Sequence, residues 1–155
     1  MGDREFLEAF EAATLPEPLF HHRDHVRLAW LYLRQLPPAA ALARFSDGLR
    51  RYAASIGKAG LYHETITWAY LLLIHERMQR FGPEATFGDF AAAHPDLLSW
   101  RPSVLDGLYR KETLDSALAR RTFLLPDRQP VASADSGSAC GTGGRLGRMR
   151  PRSPA

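Results

Sequence analysis

The chain has 155 residues, 24% of them charged and 45% hydrophobic, which suits one globular domain with a single core. The net charge of +3 resides near the C-terminal end, where Arg145, Arg148, Arg150 and Arg152 face only Asp135. The rest is neutral, which excludes the basic face expected of a nucleic-acid-binding domain. The lone Cys140 excludes an internal disulfide and a cysteine-based zinc site, and the longest uncharged, histidine-free run, residues 65–74, is about half of the roughly 20 a membrane helix needs. Asp3, Arg4 and Glu5 stand where a secretory signal would need a basic start and an apolar stretch, so a cytoplasmic location is expected.

In chain order, Leu7 and Phe10 predict a short first helix over 4–14, ended by Leu15-Pro16-Glu17-Pro18. A second helix is predicted over 22–36. His22, His25, Val26, Ala29, Trp30 and Leu33 share one face, and Pro37-Pro38 ends it. Leu42, Phe45, Leu49, Tyr52 and Ile56 form the stripe of a third helix over 38–56, opposite a charged face with Arg44, Asp47, Arg50 and Arg51. After the turn Gly57-Lys58-Ala59-Gly60, a fourth helix over 61–80 is apolar in nearly every direction, the pattern of a helix buried all round.

Shorter elements follow. Thr86, with Asp89 three residues on, predicts a capped helix running to Ala93, stopped by His94-Pro95. A turn near 102–109 and a last helix over 113–123 complete the reading. No segment alternates long enough to predict a strand. The fold class expected is all-α, a single bundle of about four main helices with short C-terminal helices, over residues 1–128. The segment 129–155 is rich in Gly, Ser, Arg and Pro and predicts a disordered basic tail, because it has too little apolar surface to offset chain entropy.

Histidines carry the functional signal. His22 and His25 project about 60° apart from one helical face, close enough to hold one ion or grip one anion. His63 and Glu64 open the fourth helix, where unpaired backbone amides and the helix dipole favour a neutral imidazole and a carboxylate. Thr67 lies one turn on. His63-Glu64-Thr65-Ile66-Thr67 has threonine where the zinc-peptidase pattern needs its second histidine, so that class is excluded. His22, His25 and His63 are the metal ligands expected, for zinc, iron or manganese. Glu64 would be a fourth ligand or a catalytic general base, and Thr67 a supporting hydroxyl. The rival expectation is a non-catalytic module binding a partner or small molecule, whose histidines form a structural hydrogen-bond network. His75, eleven residues and about 16 Å beyond Glu64, is too far along the axis to join. Trp30, Trp68 and Tyr70 are expected in the core.

The segments Phe20-His21-His22-Arg23-Asp24-His25 and Tyr62-His63-Glu64-Thr65-Ile66-Thr67, with the close from Ala119 to Asp127, resemble a family of small bacterial helical proteins. That family carries F-x-H-x-x-H and Y-H-E-T-hydrophobic-T segments, and the likeness covers residues 3–128. It implies the same choice of His22, His25, His63, Glu64 and Thr67, and no activity.

Overall fold

The computed structural model describes residues 1–82 and 86–128, so the predicted tail lies outside the described residues. The described residues are all-α: α1 (Asp3–Glu11), α2 (His22–Gln35), α3 (Pro38–Ser55), α4 (Glu64–Phe81), α5 (Phe87–Ala93), α6 (Pro95–Leu98), α7 (Lys111–Asp115) and α8 (Ala117–Arg121). Single 3-10 turns stand at Glu17–Leu19, Ala59–Leu61 and Val104–Gly107. No β-strand occurs among the described residues. No helix among them is long and apolar enough to cross a membrane.

Local chemistry explains the boundaries. Leu36 is extended ahead of Pro37, as the residue before proline prefers, and Pro38 opens α3 at a position whose N–H needs no helical partner. Gly57, at φ +71°, turns the chain out of α3 in the left-handed region that glycine enters freely. The fourth helix starts at Glu64 and not at 61, because Ala59–Leu61 coils into a 3-10 turn and His63 is extended as the N-cap. The last predicted helix is split at extended Ser116, whose hydroxyl accepts from the Ala119 amide to cap α8. Pro95 stops α5 as expected, but it also starts α6.

α2, α3 and α4 carry the architecture, and the shorter α1 lies against α2 and α3. The core they enclose includes Phe10, Val26, Trp30, Phe45, Leu71 and Ile74. Phe10 packs onto the α3 backbone so closely that a Cβ at Gly48 would sit 2.5 Å from its ring. α4 packs against α2, α3, α8 and the Val104–Gly107 turn, so it is central. It is not buried all round, since Leu72 is 41% exposed. A second, smaller core joins Ala69 and Tyr70 to Leu105 and Tyr109.

The C-terminal segment is tied down by polar bonds. Thr65, fully buried, donates to the Thr122 carbonyl at 2.8 Å and accepts from the Leu124 amide at 3.1 Å. Tyr109 donates to the Leu124 carbonyl, and Asp127 accepts from the Arg110 amide and the Thr113 hydroxyl.

Candidate functional site

The beginnings of α2 and α4 open onto one cavity of about 400 Å³, within the roughly 300–1,000 Å³ usual for ligand pockets. Its walls are mostly apolar and aromatic: Phe20, Val26, Phe45, Tyr52, Ile66 and Tyr70 are among them. His22, His25, His63 and Thr67 all line it. The two helix starts meet at this cavity, and the three imidazoles line one space.

Their chemistry differs. His63 spends both ring nitrogens on the backbone: Nδ1 accepts from the Ile66 amide at 3.3 Å, and Nε2 donates to the Leu114 carbonyl at 2.8 Å. It is the N-cap of α4 and its tie to α7, and no lone pair is left for an ion. His22 donates from Nε2 to the Leu97 carbonyl at 2.9 Å, with its ring between Tyr70 and Trp100 at centroid distances of 4.9 and 5.2 Å. Burial lowers its pKa, so Nδ1 carries a lone pair.

His25 stacks on Phe20 with centroids 4.2 Å apart, and its side chain makes no hydrogen bond among the described residues. Burial, with smaller contributions from His22 and His21, depresses its pKa to about 4, so the ring is neutral near pH 7. A neutral imidazole offers one donor and one acceptor, and both are open here. The Thr67 hydroxyl, also on the cavity wall, likewise has no hydrogen-bond partner among the described residues.

Glu64 stands elsewhere. Its carboxylate pairs with Arg50 at 2.5 Å, and it is not among the residues that line the cavity. The Arg50 guanidinium also lies 4.5 Å from the centre of the Tyr62 ring. Among the described residues, no three His, Cys, Asp or Glu side chains come together as a group that would hold a metal ion. Physical reasons are the committed nitrogens of His63 and the ion pair of Glu64.

Residues not anticipated complete the site. Phe20 and Tyr62 stood in the two histidine segments as flanking aromatics, and both line the cavity. Glu17, Leu61, Trp100 and Arg120 also line it and are exposed, so they form its rim. Of the aromatics expected in the core, Trp30 and Tyr70 are there, Tyr70 also forming a cavity wall, and Trp68 stacks half-buried on Phe123 at 5.3 Å.

Fold and site together define, over the described residues, an all-α protein with a mainly apolar cavity that holds neutral polar groups without partners among those residues. No protein-family model, curated protein or solved structure significantly matches the chain.

Proposed function

We propose that the chain is a helical small-molecule-binding module whose ligand has an apolar body and a hydrogen-bonding group directed at His25. The observation that carries this reading is the His25 imidazole, which lines a 400 Å³ cavity and makes no hydrogen bond to the described residues. A neutral imidazole on an apolar cavity wall presents a donor and an acceptor that a ligand can take up. A ligand hydroxyl or carbonyl would supply one here, with the Thr67 hydroxyl and His22 Nδ1 as further options. His63 serves the reading by fixing the start of α4, not by touching the ligand with a free nitrogen. The donor arrangement supports this better than a zinc, iron or manganese centre.

The test is a titration of the full chain with 4-phenylbutanol, followed by tryptophan fluorescence. Of the three tryptophans, Trp100 alone lines the cavity. A saturable change is expected. It should disappear in Ala53→Phe, which fills the cavity, and weaken about three- to tenfold in His25→Leu, the worth of one net hydrogen bond. Absence of any effect, or an unchanged response in Ala53→Phe, overturns the reading. Stoichiometric zinc bound through His22 and His25 in the same assay would replace it with the metal reading.

A further inference from the structure

Among the described residues, the charged side chains that line the cavity are Glu17 and Arg120, and both stand at its rim. They are not equivalent. Glu17 pairs with Lys58, so its charge is balanced within the fold. Arg120, in the last turn of α8, donates from one guanidinium nitrogen to the Gly60 carbonyl at 3.0 Å and has no carboxylate partner among the described residues. That single bond holds the guanidinium against the Ala59–Leu61 turn while most of its five N–H donors stay available. The rim therefore carries one uncompensated positive charge, and the interior behind it carries none: His22 and His25 have lowered pKa values and Thr67 is a hydroxyl.

This sorts the ligand's charge by depth. An anion buried among the apolar walls would lose its hydration with no cation to replace it, a heavy cost. At the mouth the same anion would meet a planar guanidinium fork, which fits a carboxylate through two parallel hydrogen bonds. A dianion would exceed the one positive charge available.

Resting on the cavity reading above, we propose that the ligand is a monocarboxylate amphiphile whose apolar body fills the cavity, whose hydrogen-bonding group meets His25 and whose carboxylate pairs with Arg120 at the rim. Arg120 is then a specificity-determining residue that selects an acid over the corresponding alcohol or amine.

The experiment compares three probes of one shape, 4-phenylbutyrate, 4-phenylbutanol and 4-phenylbutylamine, by calorimetric titration of the full chain and of Arg120→Gln. In the wild type the butyrate should bind about tenfold more tightly than the alcohol, as a charge-assisted pair outperforms a neutral one, and the amine should bind most weakly. In Arg120→Gln the butyrate advantage over the alcohol should vanish. Raising salt to 0.5 M should shrink the advantage in the wild type only. Equal wild-type affinities for butyrate and alcohol, or a preference for the amine, would overturn the carboxylate assignment and leave the cavity reading standing. Failure of all three probes would overturn both.

Discussion

His25 lies one turn from His22 on the same helix, yet the two rings meet different fates. The His22 ring reaches the Leu97 carbonyl, whereas the His25 ring packs on Phe20 and its nitrogens meet no partner among the described residues. That isolation gives a pH signature. The native pKa is about 4 against an ordinary value of 6.5, so between these values the unfolded chain binds the proton and the native one does not. Stability is therefore highest above pH 6.5, falls as the pH drops through the window, and levels off near 4. Two and a half units correspond to about 3 kcal/mol. His22, shifted the same way, adds to the slope. Urea midpoints at pH 7 and pH 4.5 should differ more for wild type than for His25→Leu. Equal pH slopes in the two proteins would show that His25 is protonated freely in the native state. The position of His25 on an apolar helical face was legible in the sequence. Its lack of a partner was not, because hydrogen bonding at this site depends on residues far along the chain.

At the level of elements, α4 organises the site, because His63 at its start and Thr65 just after it reach the C-terminal segment. Periodicity located this helix and its unusual apolarity. It placed the start three residues early, since a 3-10 turn and a helical turn have similar local propensities and only the His63 cap distinguishes them. Thr65, between the two residues singled out in the sequence, is a clamp: one hydroxyl donates to Thr122 and accepts from Leu124. Thr65→Val keeps the shape but strands both backbone groups, and the expected cost is about 1–3 kcal/mol. Hydrogen exchange should show faster opening over residues 122–128 than over α3. Uniform acceleration throughout the domain, or none, would remove the clamp assignment.

For the molecule as a whole, the last polar ties of the described chain are made by Asp127 and Arg128, whose amides both donate to the Leu108 carbonyl. Beyond them lies a composition with almost no large apolar residues, so deleting 130–155 should leave the melting temperature within about a degree. A drop of several degrees would show that this segment contributes to the core. The all-α class, the three long helices, the cap at Thr86 and the start of α3 at Pro38 were determined by the sequence alone, because helix periodicity, proline and capping residues act within a few positions. The pairing of Glu64 with Arg50 and the bond from His63 Nε2 to the Leu114 carbonyl were settled by tertiary packing. The first joins residues 14 positions apart and the second residues 51 apart, separations over which sequence pattern carries no record of which partner a polar atom meets. The cavity belongs to the same category, since its walls come from α2, α3, α4 and the rim of α8, and a void is a property of how helices fail to fill space together.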